Sequence, residues 1–592
     1  MSDRRPMEIS TAQPTKTRSA AAARAIALAE IDVLIIGAGI NGCATFRDLC
    51  LNGVTCLLVD AEDFGAGASS ASTRIAHGGL RYLENGEWRL VAEATVERNR
   101  LLQNAPHYVT PLLITIPSFS RFGGIMASIG KLVRVHRPMR SRGLVLIKIG
   151  LSIYDWLGRK QGSLPRHRMS SRAQAHRLLP KLHPGVVGIA SYYDARIAHT
   201  ERLAFELVDD GLKANPESAA LNHCRVIGVA GSVVELKDLL AGTSFSVRPK
   251  IVINAAGAWI DAVNGRFGRN DRLIGGTKGS HIMIESPALL RALDGRCFSY
   301  DDGTGRMCVA YPVGTLVMLG SSDIRVEDPD AVICDETEIA YFLSAIRLIF
   351  PMVDVDRTMI RYRFSGVRPL PFQEGKDTVN ISRDHSIQMS PPQAGRIFPI
   401  LSLIGGKWTT FRAFAEQVTD RVLDALQRSR VVSTRALPIG GGRSYPMTED
   451  ARRHWIAEAT TALPIGVERM ETLLTRYGTT ARDVAAFCLL EADAPLAAAP
   501  DYTKREIRYL IRFELVATLE DLIYRRTMMA MEGRLSFGLL VELATIIAGD
   551  ASTSATADCL RPAITRLRRE SGVDFSAQFD AFDARQMAVA TS

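Results

Sequence analysis

Apolar residues fall into three textures along the chain. Asp32-Val-Leu-Ile-Ile36 is a short unbroken apolar run, which predicts a strand buried on both faces. Asn41 to Asn52 follows a helical period and stops before Gly53, and Val54 to Val59 returns to strand. Strand-like runs then dominate as far as about residue 425. Val226 to Leu236 alternates about Gly231-Ser232 as a hairpin, while Lys250–Asn254, Lys278–Ile284, Thr315–Asp323, Asn380–Met389 and Ile397–Ile404 read as further strands. A Pro-, Gly- and Arg-rich connector, Leu437 to Pro446, ends that texture. Beyond it Arg505–Leu515 and Leu519–Thr527 place apolar residues at i, i+3, i+4 and i+7, so helices are predicted. The divisions are a disordered tail over 1–30, a mixed region over 31–430, a linker over 431–446, a helical domain over 447–575 and a tail over 576–592.

At 592 residues the chain exceeds what one core normally serves, so more than one folding unit is expected. No apolar run reaches the roughly 18 to 20 residues of a spanning helix. Nine cysteines are scattered without a CxxC pair or a Cys/His spacing, which argues for reduced thiols and no metal site. The first 30 residues lack the apolar stretch of a secretory signal, and Asp3 and Glu8 weaken a transit-peptide reading. The net charge of +9 is concentrated locally, because no acid occurs between Glu97 and Asp155. That stretch mixes Arg121, Lys131, Arg134, Arg137, Arg140, Arg142 and Lys148 with Phe122, Ile125, Ile129 and Leu132. Such a mixture suits an anionic membrane surface and equally a solvated basic loop over a substrate entrance. No nucleic-acid-binding motif accompanies it, so nucleic acid is not expected as a partner.

The first strand and helix enclose Gly37-Ala-Gly39-Ile-Asn41-Gly42, and the second strand delivers Asp60. Glycine at these positions permits the tight turn, the close approach of backbone to a pyrophosphate and helix–strand packing; an acid about 20 residues on accepts from a ribose hydroxyl. The fingerprint alone leaves NAD and FAD both open.

Four further blocks narrow the choice: Ser69-Ser70-Ala-Ser72, His77-Gly-Gly-Leu-Arg81-Tyr82-Leu-Glu84, Ser365-Gly-Val-Arg368-Pro-Leu370 and Gly405-Gly406-Lys407-Trp-Thr409-Thr-Phe-Arg412. With the fingerprint, they resemble the FAD-dependent glycerol-3-phosphate dehydrogenases from about Ile31 to Ala425, and Val516 to Met529 resembles that family's C-terminal helical domain. The resemblance implies an α/β and α+β fold: a Rossmann-type FAD-binding domain interleaved with an antiparallel-sheet substrate domain, followed by a helical cap. It implies FAD as cofactor, oxidation of sn-glycerol 3-phosphate to dihydroxyacetone phosphate with hydride passing to flavin N5, and a quinone as acceptor. Peripheral attachment to the cytoplasmic face of a membrane is expected from the acid-free segment between Glu97 and Asp155, and a homodimer stays open. Carried over by position, Gly37, Gly39, Asn41 and Gly42 meet the pyrophosphate and Asp60, where the family usually has Glu, meets the ribose. Ser69, Ser70 and Ser72 fall near the flavin phosphate or ring edge, Val226 near the adenine, and Ala255 and Gly257 near the adenosine side. Gly406, Lys407 and Thr409 fall by the ribityl and isoalloxazine.

A phosphate monoester needs cations with fixed geometry, and Arg81 and Arg368 are the arginines inside the two motifs, with Tyr82 as an added donor. Carbinol oxidation also needs a proton acceptor, for which His281, His77 and Lys407 are the candidates and His281 the first choice. Lys407 also suits stabilisation of charge on the reduced flavin. Dehydrogenation of another polyol phosphate, such as erythritol phosphate, keeps the same arginines. An amine oxidase on the same fold would not need them.

Overall fold

The computed structural model describes residues 17–123, 142–158, 164–374, 381, 383–549 and 553–590. Most of the basic stretch after Arg121 lies outside these residues, as do residues 1–16 and the side chain of Arg81.

The two apolar runs at the start form neighbouring parallel strands, Glu30–Ile36 and Cys56–Val59. Glu30–Ile36 is buried at every position after Glu30, because Ser244–Asn254 pairs parallel on its other side, helix Ile40–Leu51 covers one face, and the Cys224–Asp238 hairpin with helix Arg18–Ala27 covers the other. Ala219–Leu221 and Ile400–Ile404 extend the parallel sheet outward, and Ser386–Ser390 closes one edge antiparallel. Helix Ile40–Leu51 packs between Thr200–Ala214 and Phe411–Ala425, so its small residues and Phe46 are buried on nearly all sides. Segments more than 300 residues apart in sequence therefore build one nucleotide-binding layer.

The second sheet is largely antiparallel. Its central strand, Thr277–Ile284, pairs antiparallel with Leu316–Gly320 and with Ile360–Arg368, in a register that sets His281 opposite Phe364 and Thr277 opposite Arg368. Met307–Val313, Cys297–Asp301, Val109–Ser118 and Gly188–Ile197 continue it. One junction departs from the antiparallel expectation, since Cys297–Asp301 and Val109–Ser118 run parallel.

Two segments expected as tails are helical. Arg18–Ala27 is a helix capped by Thr17, whose hydroxyl accepts from Ala20 N at 3.3 Å. Its alanines read as featureless in sequence, yet Ala22 and Ala25 are packed and Arg18 is buried against Asp238 and the Asn222 carbonyl. Ser576–Ala590 is likewise a helix. The C-terminal domain is helical around Leu473, Ile507, Leu522 and Leu543, although Asp521–Arg526 winds as a π-helix. Its junction with the nucleotide layer is ionic and buried: Arg526 grips Asp63 at 2.6 and 3.0 Å, and Arg202 grips Glu514 at 2.8 and 2.9 Å. The connector is packed, for a Cβ on Gly441 would lie 2.0 Å from the Tyr477 carbonyl.

Candidate active site

Glycine is required in the turn after the first strand. Gly37 has φ +100°, and a Cβ there would stand 2.6 Å from the Ala255 carbonyl carbon; a Cβ on Gly42 would stand 1.9 Å from the Gly37 oxygen. Helix Ile40–Leu51 therefore starts directly over the sheet, with its N-terminal dipole facing the loop. Asp60 accepts from Ala38 N at 2.6 Å and Glu62 N at 2.8 Å, and burial pushes its carboxyl up to about 6. Ser69 accepts from Ile40 N at 2.9 Å, and its carbonyl accepts from Trp408 Nε1 at 2.9 Å. Asn41 donates to the Gly405 carbonyl at 3.1 Å, leaving its buried Oδ1 without a partner. Ala255 and Gly257 lie at the end of the adjoining strand. Val226 sits in its hairpin with its carbonyl bound by Arg266 at 2.5 Å, two residues after Cys224, whose N–H donates to the Asp60 carbonyl. The hydroxyls of Ser70 and Ser72 serve their own turn, bonding the Gly67 carbonyl and Arg74 N.

From this cradle a cavity of about 1540 Å³ opens between the two sheets. His77, Tyr82, His281, Arg368, Lys407 and Thr409 all line it, so predicted residues from four separate blocks meet in one space. Thr409 Oγ1 clamps the main chain of His77, accepting from its N–H and donating to its carbonyl, both at 3.1 Å. Burial, and next the nearby Lys407 charge, hold the His77 imidazole down at about 4. Lys407 is itself pushed down to about 7 by burial, and its Nζ has no hydrogen-bond partner. His281 is enclosed more tightly. It is 1% exposed, stacks on Phe364 with ring centroids 4.9 Å apart, and shares a 3.2 Å hydrogen bond between Nε2 and Thr73 Oγ1. Burial and then Arg368 hold it down at about 3. Both histidines are neutral in the physiological range.

The cationic end is built on Asp323. Arg368 places Nη1 3.3 Å from Asp323 Oδ1, and Arg383 places Nη2 3.3 Å from Oδ2. The Ser322 carbonyl and Ser321 Oγ, each at 3.1 Å, fix the Arg368 fork, which lies over Gly279 because that residue has no side chain. Two guanidinium groups turned by one carboxylate form a pre-set anion clamp.

Arg383 was not singled out from the sequence; its signal is the adjacent Asp384 and the loop before strand Ser386–Ser390. Also unforeseen was a buried knot under the His77 loop. Asp194 Oδ1 accepts from Arg98 Nη1 at 2.7 Å, from Gly78 N at 3.2 Å and from the Tyr154 hydroxyl. No spacing rule joins these four chain segments, which meet only through the fold.

The fold and the cradle define an FAD-dependent oxidoreductase. Residues 32–421 match the family described as FAD dependent oxidoreductase, and residues 432–557 match the C-terminal domain of alpha-glycerophosphate oxidase. Over 531 residues the chain is 34% identical to a glycerol-3-phosphate dehydrogenase of Synechocystis, covering 84% of this chain and 89% of the relative. It is 29% identical to a D-erythritol 1-phosphate dehydrogenase of Brucella abortus, covering 84% and 94%. The X-ray structure of a Bacillus halodurans glycerol-3-phosphate dehydrogenase complexed with FAD superposes with a TM-score of 0.70 at 20% identity, covering 94% of this chain and 98% of that one. The chain belongs to the FAD-dependent glycerol-3-phosphate dehydrogenase family.

The residues present suit that cofactor. Gly37 and Gly42 have no room for a Cβ, and Asn41 Oδ1 and Lys407 Nζ are buried without hydrogen-bond partners.

Proposed function

We propose that the enzyme oxidises sn-glycerol 3-phosphate to dihydroxyacetone phosphate and passes the electrons to a quinone. The observation that carries this reading is the Arg368–Asp323–Arg383 clamp opening into the same cavity as His77 and Lys407. The clamp takes the phosphate dianion, and Tyr82 and Arg81, in their family motif, are assigned to the same end of the substrate. His77 is the better base. It lines the cavity as a neutral imidazole and is less buried than His281, which also lines the cavity but is 1% exposed, shares Nε2 with Thr73 and stacks on Phe364, and is assigned to holding that wall. The C2 hydroxyl gives its proton to His77 as its carbon–hydrogen bond breaks and the carbonyl forms. Bound FAD supplies the acceptor for the hydride. The Lys407 charge lowers the cost of negative charge gathering in a site of low dielectric. Gly37, Gly39, Asn41, Gly42, Asp60, Ser69, Ala255 and Gly406 are assigned to holding the cofactor.

The quinone assignment rests on an apolar arm of the cavity lined by Leu80, Leu83, Leu146, Ile147 and Ile153. Leu146, Ile147 and Ile153 come from helix Leu144–Gly158, whose Ile149, also lining the cavity, and Trp156 are 54% and 66% exposed, with Phe122 close in sequence to the basic stretch. No helix among the described residues is long and apolar enough to cross a membrane. We therefore assign this face to the headgroup region of the cytoplasmic leaflet. Steady-state oxidation of sn-glycerol 3-phosphate and D-erythritol phosphate with a quinone analogue tests the reading: preference for the first supports it, and turnover of erythritol phosphate alone replaces it with the second.

A further inference from the structure

Behind the wall that carries Ser70 and Ala71 lies a second cavity of about 380 Å³, within the size range of small-molecule sites. All three parts of the chain meet there: Glu62 from the nucleotide layer, Ser365 from the substrate sheet and Tyr524 from the helical domain. Only a close contact separates it from the active-site cavity, since a Cβ on Gly366 would stand 2.6 Å from the Ala71 Cβ, and these two residues line both spaces.

Its wall is rich in arginine. Arg74 and Glu201 neutralise one another. That leaves Arg225, Arg363, Arg525, Arg566 and Arg569 against Glu62, Asp330 and Glu570, so five cations less three anions give a surplus of two. Some of these donors are spent. Arg566 binds Glu570 at 2.8 Å and Glu62 at 3.2 Å, and Arg569 binds Glu570 at 2.5 Å. Arg525 is different. It is 8% exposed, its Nε is buried without a partner, and Glu62 stands 3.8 Å from it. Arg363 also buries an unpartnered Nε, while its Nη1 reaches Glu336 at 3.4 Å. Buried guanidinium donors without acceptors are costly, and an occupant bearing acceptor oxygens removes that cost.

We propose that this cavity is a second anion site that takes a small phosphate monoester as its dianion, with Arg525 and Arg363 donating to the phosphate oxygens. The charge surplus of two matches the dianion, and planar guanidinium forks match its geometry. The proposal does not depend on which alcohol the active site oxidises. The adenosine end of FAD is the competing occupant, because Glu62 follows Asp60 by two residues.

Titrating the FAD-loaded enzyme with inorganic phosphate, followed by calorimetry and phosphorus NMR, separates these cases. Two classes of bound phosphate are expected. Arg368→Gln removes one, and Arg525→Gln weakens the other by about 10- to 100-fold with FAD content unchanged. Arg569→Gln lies at the exposed rim and keeps the test decisive if Arg525→Gln fails to fold; it should weaken the same class to a smaller extent. A single class that disappears with Arg368→Gln overturns the proposal, as does unchanged affinity in Arg569→Gln. Loss of FAD from Arg525→Gln without loss of a phosphate class assigns the cavity to the cofactor and overturns it too.

Discussion

The Lys407 ammonium lies 3.8 Å from the centroid of the Tyr82 ring, held over an aromatic face with no hydrogen-bond partner for its nitrogen. A ring face is a weak substitute for water, so burial brings the ammonium down from its ordinary 10.5 to about 7. The sign is that of a cation made harder to charge. Below about pH 7 Lys407 is charged and above it neutral. If its charge assists the reaction, kcat/KM falls as pH rises through that value, and Lys407→Arg removes the fall because guanidinium stays charged. Bound phosphate favours the charged form, so the fall in kcat should lie at higher pH than that in kcat/KM. The same alkaline limb in Lys407→Arg would assign it to another group.

The clamp predicts a binding effect. Arg368→Gln leaves Asp323 facing one guanidinium and should cost about 2 to 5 kcal/mol in kcat/KM for a phosphorylated substrate. Arg383→Gln should act in the same direction. Oxidation of unphosphorylated glycerol, however slow, should hardly change in either variant. Equal losses with both substrates would show that the arginines shape the fold and do not read the phosphate.

The two histidines predict different failures. His77→Asn should lower kcat by about 10²- to 10⁴-fold while FAD stays bound. His281→Asn can still bond Thr73 and should retain most of kcat, with a larger effect on KM through the Thr73 wall. The reverse pattern would restore His281 as the base. Since both imidazoles are held well below their usual value, neither should produce a titration between pH 6 and 8 in the free enzyme.

The ionic seam predicts a stability effect. Arg526 and Asp63 are 0% and 3% exposed, so Asp63→Ala leaves the buried Arg526 fork with only the Glu514 carbonyl at 3.0 Å and its carboxylate at 3.8 Å, and should destabilise by about 3 to 5 kcal/mol. Chemical denaturation should show it. A loss below about 1 kcal/mol would mean that water reaches Arg526 in the variant.

The nucleotide layer was legible because its signals are local. A strand, a glycine turn, a helix and Asp60 follow one another within 30 residues, and each has a steric reason. Arg368 and Lys407 were legible for another reason, since they stand in blocks that resemble a known family. The residues that escaped act across the chain. Arg383 gains its meaning from Asp323, 60 positions earlier, and Asp194 gains its meaning from Arg98 and Tyr154 on two separate helices. The helix Arg18–Ala27 escaped because alanine-rich segments carry little hydrophobic contrast, and only packing against the sheet edge reveals their buried face. The preference between the histidines changed for a related reason. Both stand in recognisable motifs, while the stacking of His281 on Phe364 and its bond to Thr73 are tertiary properties.

If the cavity delivers hydride from the carbinol of glycerol 3-phosphate to bound flavin, the flavin must bleach on substrate alone. Anaerobic mixing of the FAD-loaded enzyme with sn-glycerol 3-phosphate, read by flavin absorbance in a stopped-flow instrument, tests it without any electron acceptor. Rapid and complete bleaching is predicted, slowed by His77→Asn and made to need far more substrate by Arg368→Gln. A flavin that stays oxidised with sn-glycerol 3-phosphate, but bleaches with D-erythritol phosphate or an amine, would contradict the account.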